Sequence, residues 1–306
     1  MERNRWEDAC ARICLLTRAA WAQGLPRPMS RPAVRRLAGM GALYSLVLRD
    51  VPGVDARTMA HARALLARTK DVAALLADYA ERGYRLLLPE DDCWPRVLNC
   101  LGTQEPLFLF ARGEEELLRH GCVAVAGSRD VEPATADMAR RAGRMVAEAG
   151  WAMVCGGARG VDRAAQDALL AAGGSLILVP AVPAAQAACG ERERAALESG
   201  RLLVLCDTLP DEPFSAGKAL ARNHTIYALA DAAIVVASRR GVGGSWRGST
   251  DCLRGGWTPV FAAQGEGQDF SGNRALRGLG AEEIDLSGVQ TLKAQIAPRA
   301  EQMSLM

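Results

Sequence analysis

The hydrophobic and polar positions divide the chain into two regions with different periodicities. In residues 1–82, apolar side chains recur at three- and four-residue steps, most clearly over 59–80, and this spacing is typical of amphipathic helices. Breaks that contain proline or glycine, at 26–28 and 51–53, separate the helical segments. The pattern therefore predicts a small, all-helical N-terminal domain over residues 1–82.

From residue 84 onward, short apolar runs alternate with helical segments. Such runs are typical of parallel strands that are buried on both faces. We expect an α/β domain over residues 84–285, with a Rossmann-like, doubly wound, mostly parallel sheet, followed by a C-terminal tail over 286–306. The predicted strands are 85–88, 107–110, 122–126, 152–155, 175–179, 202–206, 233–237 and 259–262, and the predicted crossover helices are 134–149, 161–172, 186–199, 217–230 and 249–255.

Composition places the chain among ordinary globular proteins. Its 306 residues are 49% hydrophobic and 24% charged, which leaves room for about two domains and excludes a disordered, fibrous or disulfide-stapled protein. The apolar runs, such as 107–111 and 232–237, are far shorter than the roughly 18 residues of a membrane span. The first residues, 1–5, do not follow the pattern of a signal peptide. We therefore expect a cytoplasmic protein without a membrane segment.

Charge and cysteine content indicate which kinds of ligand site the chain can form. The net charge of +2 carries no overall signature of nucleic-acid binding, and every basic residue is arginine except Lys70, Lys218 and Lys293. Arginine suits phosphate recognition, although a GC-rich coding sequence produces the same bias. The nine cysteines form no Cys-x-x-Cys pair, and Cys10 and Cys14 have no histidine nearby. We expect free thiols and no metal site.

Four segments that follow predicted strands are rich in glycine, hydroxyl and basic residues. In a doubly wound sheet, ligands bind outside the carboxyl ends of the strands, where the strand order reverses. Glycines allow close approach, and helix N-termini and arginines bind anions, so the four segments together predict a phosphate-binding groove. Each segment taken alone is explained equally well by the residue preferences of tight turns, with Asp162 as a helix cap. The segments are Gly127-Ser128-Arg129, Gly156-Gly157-Ala158-Arg159-Gly160-Val161-Asp162, Lys218 with Arg222-Asn223-His224, and 238–249.

Missing motifs exclude several common activities. The segment 127–132 lacks the later glycines of the Gly-x-Gly-x-x-Gly dinucleotide fingerprint, and no Gly-x-x-x-x-Gly-Lys-Ser/Thr string occurs. His61, His120 and His224 belong to different predicted elements, which leaves little basis for a catalytic triad. We expect no catalytic residues and no cofactor.

Six blocks of sequence follow one another in a fixed order between residues 85 and 265. They are Asp92-Cys93-Trp94-Pro95-Arg96-Val97-Leu98, 105–113, 123–129, 155–166, Ala221-Arg222-Asn223-His224-Thr225-Ile226 and Gly243-Gly244-Ser245-Trp246. In this order they resemble the Asp-x-x-Tyr-Pro-x-x-Leu, Pro-Pro-x-x-Leu-Tyr-x-x-Gly, Gly-Ser-Arg, Ser-Gly-x-Ala-x-Gly-Ile-Asp-x-x-Ala-His, Arg-Asn-Arg-Ile-Ile and Ser-Gly-Ser blocks of the DNA-processing protein A (DprA/Smf) family. That family belongs to a wider Rossmann group that also includes phosphoribohydrolases.

The resemblance implies a non-enzymatic protein that binds single-stranded DNA and hands it to a RecA-type recombinase in natural transformation or recombination, acting as a homodimer. Serine, arginine and asparagine side chains are then expected to contact the DNA backbone, and glycines to allow its approach. Trp246 is expected either to stack on a base or to pack in the core. The expected DNA-binding residues are Gly127, Ser128, Arg129, Gly156, Gly157, Arg159, Gly160, Asp162, Lys218, Arg222, Asn223, Gly243, Gly244, Ser245 and Trp246.

The chain also departs from the family pattern. Gln166 replaces a histidine, Cys155 a serine, His224 the second arginine of Arg-Asn-Arg, and Gly248-Ser249 a Thr-Ala pair. The sequence ends without the winged helix that many members carry. These departures indicate a divergent branch.

Two other functions remain open, together with a role for the N-terminal domain. A phosphoribohydrolase of the related branch would need a carboxylate, which Asp162 or Asp251 would have to supply, and the proline of that branch's glycine motif is missing. A nucleotide-sensing module is favoured by the low net charge.

The N-terminal region resembles a SAM-like or helix-hairpin-helix-like domain. Its turns at 37–41 and 51–55 either offer backbone amides to phosphates or only connect helices.

Overall fold

The structure is a computed structural model, and it describes residues 3–18, 24, 26–47 and 49–296. Some residues of the sequence predictions lie outside the described ones: 1–2, 19–23, 25 and 48 of the N-terminal domain, and 297–306 of the tail. The chain divides into two compact units. The first comprises Met1–Trp94, Gly102–Phe110 and Asp207–Leu209, and the second Pro95–Leu101, Ala111–Cys206 and Pro210–Met306.

Two helices of the first unit have N-termini that are capped by a side chain. The Ser30 hydroxyl accepts the N–H of Ala33, and a carboxylate oxygen of Asp55 accepts the N–H of Thr58 at 2.9 Å. The helices are α1 Arg3–Leu16, α2 Arg31–Ala38, α3 Ala56–Leu66 and α4 Thr69–Glu81, and they are followed by the short strand β1 Arg85–Leu87. The two caps start α2 and α3 shortly after the breaks in the sequence pattern.

Strands and α-helices alternate over most of the rest of the chain. The strands are β2 Leu109–Gly113, β3 Cys122–Gly127, β4 Ala152–Cys155, β5 Ser175–Leu178, β6 Leu202–Cys206, β7 Ala232–Ala237, β8 Val260–Ala263 and β9 Glu282–Ile284. The helices are α5 Pro133–Ala149, α6 Val161–Ala171, α7 Ala184–Ala187, α8 Glu191–Glu198, α9 Ala216–Leu229, α10 Gly243–Gly255, α11 Ser271–Arg277 and α12 Val289–Gln295.

These strands form a sheet in the order β2-β6-β5-β4-β3-β7-β8-β9. The pairs from β6 through to β9 are parallel. The chain moves outward from β3 to β6, then returns to add β7 on the other side of β3, so the strand order reverses at β3 and β7. The predicted fold, a Rossmann-like, doubly wound, mostly parallel sheet preceded by helices, is confirmed.

The strands that flank this reversal form the centre of the core. Val123 and Ala124 in β3, Met153 in β4 and Ile234 in β7 are fully buried. Such strands need apolar residues at every position because helices cover both faces of the sheet. This requirement explains why the strands could be predicted as uninterrupted apolar runs.

Several predicted boundaries differ from the structure. The predicted helix 186–199 is two helices, α7 and α8, and the sheet has an unpredicted final strand, β9. Part of the predicted tail forms α12, whose Leu292 is buried. The largest difference is α10, which begins at Gly243 and not at residue 249. Glycine-rich sequence has low helix propensity, and packing of α10 against α9 outweighs it.

None of the described helices is long and apolar enough to cross a membrane.

Candidate nucleic-acid interface

A cavity of about 900 Å³ lies at the reversal of strand order in the second unit. Its walls come from the end of β3 and the loop after it, from α9, from the loop after β7 and from α10. The register between β3 and β7 shifts at Ala126/Gly127, at the point where β3 reaches the cavity. Such irregularities are common where a strand ends beside a binding site, because they redirect the side chains that follow.

The loop after β3 contains Ser128, which is bonded to the protein, and Arg129, which is exposed on the cavity. The backbone N–H of Ser128 donates to the carbonyl oxygen of Ala237 at 2.9 Å, and its hydroxyl donates to the same oxygen at 3.3 Å. Arg129 is exposed, and its guanidinium carbon lies 5.9 Å from the ring centroid of Phe214. Ser128 thus ties the loop to β7, and Arg129 presents its charge to the cavity.

The turn after β4 is organised around a buried carboxyl group. Asp162, at the start of α6, accepts the backbone N–H of Gly156 at 3.2 Å. Burial raises the pKa of Asp162, while the positive charge of Arg222, N–H groups of Gly156 and Ala158, and Arg129 act in the opposite direction. Asp162 therefore shapes the turn from inside, next to a buried cation.

Arg222 on α9 supplies that cation. It is only 5% exposed, although it lines the cavity. One residue further along α9, the amide nitrogen of Asn223 donates to the carbonyl oxygen of Gly244 in α10 at 3.2 Å. His224 turns away, with Nε2 3.2 Å from a carboxylate oxygen of Asp251. Helix α9 thus places Arg222 and Asn223 on the site and joins them to the beginning of α10.

Helix α10 points its N-terminus into the cavity. The Ser245 hydroxyl donates to the carbonyl oxygen of Gly127, which joins the start of α10 to the end of β3. Trp246 is half-buried and lines the cavity. The hydroxyl groups of Tyr227 and Ser249 are 2.8 Å apart in the packing of α9 against α10. Because the N–H groups of a helix's first turn have no partner within the helix, this end is suited to an anion.

The cavity brings together most of the residues that the sequence predicted. Ten of them line it: Gly127, Ser128, Arg129, Asp162, Arg222, Asn223, Gly243, Gly244, Ser245 and Trp246. Their contact with DNA stays a prediction.

The other five predicted residues do not line the cavity, and most have partners within the protein. The Lys218 ammonium lies 2.6 Å from a carboxylate oxygen of Glu212 and donates to the carbonyl oxygen of Pro213. Arg159 pairs with Asp130 at 2.8 Å. The glycines at 156, 157 and 160 lie against protein atoms: a Cβ at Gly160 would be 2.3 Å from the carbonyl oxygen of Ser128.

Among the lining residues that were not predicted to bind DNA are one exposed aromatic residue and three arginines, of which Arg239 and Arg247 lie in the predicted segment 238–249. These four residues are Phe214, Arg239, Arg247 and Arg254. One signal could have indicated the last two, since a spacing of seven places both on one face of α10. No such pattern marks Phe214. Arg239 donates to a carboxylate oxygen of Asp269 at 2.7 Å.

No group of three or more histidine, cysteine, aspartate or glutamate side chains suited to a metal ion occurs within the described ranges.

The sequence itself places this chain among known proteins. The family model for DNA recombination-mediator protein A matches residues 85–284. The chain belongs to this family. The match covers the cavity and confirms the resemblance to the DNA-processing protein A proteins.

Two solved structures of DNA-processing protein A are similar to this one. The protein from Streptococcus pneumoniae has a TM-score of 0.73 at 22% sequence identity, with 97% of this chain and 99% of that chain covered. The protein from Helicobacter pylori, whose structure concerns its single-stranded DNA binding mode, has a TM-score of 0.59 at 24% identity, with 70% and 97% covered. At these identities the similarity establishes the fold. No curated protein matches the sequence.

Proposed function

We propose that this protein of the DNA recombination-mediator family binds single-stranded DNA in the cavity at the end of β3. The observation that carries the proposal is the charge of the lining. It contains five arginines, which come from the loop after β3, from α9, from the loop after β7 and from α10. They are Arg129, Arg222, Arg239, Arg247 and Arg254.

The acidic residues of the lining offset this charge only in part. Three aspartates line the cavity against five arginines: Asp130 is paired with Arg159, Asp162 lies by Arg222, and Asp251 lies beside His224. One of the five arginines, Arg239, is itself paired with Asp269. The cavity is therefore a local concentration of positive charge in a chain whose net charge is only +2. Phosphate groups are the natural partners of such a site because guanidinium groups bind their oxygens in pairs.

Binding explains this site better than hydrolysis does. A phosphoribohydrolase needs an ionised carboxylate directed at the reacting carbon. Asp162 is buried and holds the β4 turn, and Asp251 lies beside His224. We therefore propose a non-enzymatic, DNA-binding role.

A small nucleotide is the competing ligand. A volume of about 900 Å³ falls within the range of small-molecule pockets, which is roughly 300–1,000 Å³. The first experiment therefore has to separate a polymer from a monomer.

Fluorescence anisotropy of a labelled oligothymidylate at several salt concentrations, with mononucleotides as competitors, tests the proposal. We expect micromolar or tighter binding whose logarithm falls linearly with the logarithm of salt concentration, as counterions are released from the strand. Mononucleotides should not compete at low concentration. Absence of binding, or displacement by a mononucleotide at low concentration, would contradict a DNA site.

We propose further that the protein is a cytoplasmic homodimer that hands its DNA to a RecA-type recombinase in natural transformation or recombination. Support for this part comes from family membership alone. Light scattering measures the oligomeric state. The lag before recombinase filaments form on strands coated with single-strand-binding protein measures delivery, and we expect this protein to shorten it.

A further inference from the structure

An exposed aromatic ring stands on the wall of the cavity. Four large apolar side chains in the described part of the chain are exposed, and Phe214, Val242 and Leu279 among them line this one cavity. Phe214 is 49% exposed. Leaving a ring in water forgoes the gain from burying it, so a cluster of such residues around a concave site indicates a ligand with apolar surface.

The start of α9 does not provide a packing partner that would explain the position of the Phe214 ring. Phe214 precedes Ser215, the N-cap of α9, whose hydroxyl accepts the N–H of Lys218 at 3.2 Å. An apolar residue in this position often packs against the fourth residue of the helix. Here that residue is Ala219, whose methyl group is too small to cover a phenyl ring. The cap fixes the backbone at Phe214 and leaves the ring open.

The ring is paired with a cationic group. The Arg129 guanidinium carbon lies over the ring, 5.9 Å from its centroid, within the range of a cation–π contact. Arg129 and Phe214 thus offer, side by side, a cation and an aromatic face. A nucleotide unit presents the matching pair, a phosphate and a planar base.

We propose that Phe214 stacks on a base of the bound strand while Arg129 holds a neighbouring phosphate. This inference rests on the proposed DNA-binding function and adds a contact that depends on the presence of a base. Aromatic faces stack on every base, so Phe214 contributes affinity without sequence preference. The strand is thereby held by its bases as well as by its charge.

The test compares an oligothymidylate with an oligonucleotide of the same length that carries abasic sites, because the two share their phosphates and differ in their bases. We expect the wild-type protein to bind the abasic strand more weakly. Phe214→Ala should weaken binding of the oligothymidylate about tenfold, since stacking contributes roughly 1–3 kcal/mol per base. The same variant should bind the abasic strand as the wild type does.

Two further variants separate the effect of aromatic stacking from the effect of apolar side-chain volume. Phe214→Trp keeps an aromatic face and should retain the affinity for oligothymidylate, whereas Phe214→Leu keeps apolar volume and should lose most of it. Met40→Ala is the matched control, because Met40 is an exposed apolar residue that does not line the cavity, and DNA binding by this variant should change less than twofold.

Two results would overturn the stacking contact while the DNA site stands: wild-type and Phe214→Ala proteins that bind the oligothymidylate equally, or a Phe214→Leu variant that binds as the wild type does. If the wild-type protein binds neither strand, the proposed function itself fails, and the stacking contact fails with it. Thermal unfolding of each variant verifies that it is folded.

Discussion

A side chain at position 156 and the guanidinium group of Arg222 would occupy the same space. A Cβ at Gly156 would lie 1.6 Å from Nη1 of Arg222. Any side chain in the turn after β4 at this position would therefore displace the guanidinium group of a buried arginine on α9, a residue 66 positions later in the sequence. This close approach makes the turn and the cation of the cavity one structural unit.

Gly156→Ala is expected to displace the Arg222 guanidinium. Overpacking of a buried site typically costs about 1–3 kcal/mol, and we expect the free energy of unfolding to fall by that order. Because Arg222 lines the cavity, oligonucleotide binding should weaken as well. Urea denaturation and anisotropy measure the two effects.

Gly217→Ala is the control for this substitution. Gly217 lies in α9, and a Cβ there would meet no atom within 4 Å. Alanine stabilises a helix relative to glycine by roughly 0.5–1 kcal/mol, so this variant should be as stable as the wild type or more so. Equal stability of the two alanine variants would contradict the role given to Gly156.

Arg129→Ala is expected to flatten the salt dependence of oligonucleotide binding. Removing the partner of one phosphate on a single strand reduces the slope of log binding constant against log salt by about 0.7. Arg129 is exposed, so the free energy of unfolding should change little. Arg140→Ala, which removes an exposed α5 arginine paired with Asp137, should leave the slope unchanged. A wild-type slope in Arg129→Ala would remove this residue from the DNA site.

Asp162 is expected to make stability fall as pH rises. Burial raises the pKa of its carboxyl group in the folded protein above the unfolded value of about 3.9. Between these two pKa values the folded state binds more protons than the unfolded state, so the contribution of Asp162 to stability is full below the lower value and is lost as pH rises through the higher one. Asp162→Asn keeps an acceptor for the Gly156 N–H and removes the titration.

Urea denaturation over a range of pH tests this expectation. The stability of Asp162→Asn relative to the wild type should increase with pH above the ordinary aspartate range. Asp55→Asn should show the opposite trend, because the N–H and hydroxyl of Thr58 lower the pKa of Asp55. A stability difference between Asp162→Asn and the wild type that does not vary with pH would contradict the raised pKa.

The buried cysteines should resist alkylation until the protein unfolds. Burial raises the pKa of Cys122, Cys155 and Cys252 to about 12 each, so their reactive thiolate forms are scarce. Cys100 and Cys189 are exposed. With iodoacetamide at mildly alkaline pH, peptide mass spectrometry should show these two modified first.

Alkylation of the protein unfolded in concentrated urea provides the comparison. Under that condition the five thiols considered should react with iodoacetamide at similar rates. They are those of Cys100, Cys122, Cys155, Cys189 and Cys252. Rapid modification of Cys155 in the folded protein would mean that the turn after β4 opens to solvent.

The sequence by itself determined the layered fold and the edge of the sheet where the site lies. Parallel strands covered on both faces must be apolar at nearly every position, so β3, β4, β6 and β7 stand out as uninterrupted runs. Residues that follow such strands gather at one edge, which is why Arg129, Arg222 and Ser245 could be placed together from order alone.

Only the tertiary structure decided what each of those residues touches. Helix propensity predicted that α10 begins at residue 249, whereas it begins at Gly243. Packing against α9 makes the glycine-rich segment before residue 249 helical. Charge alone could not show that Lys218 faces Glu212 or that Arg159 faces Asp130, since these pairings depend on side-chain direction. Local pattern gave no reason to select Phe214, because its exposure beside Arg129 arises where two distant loops meet in space.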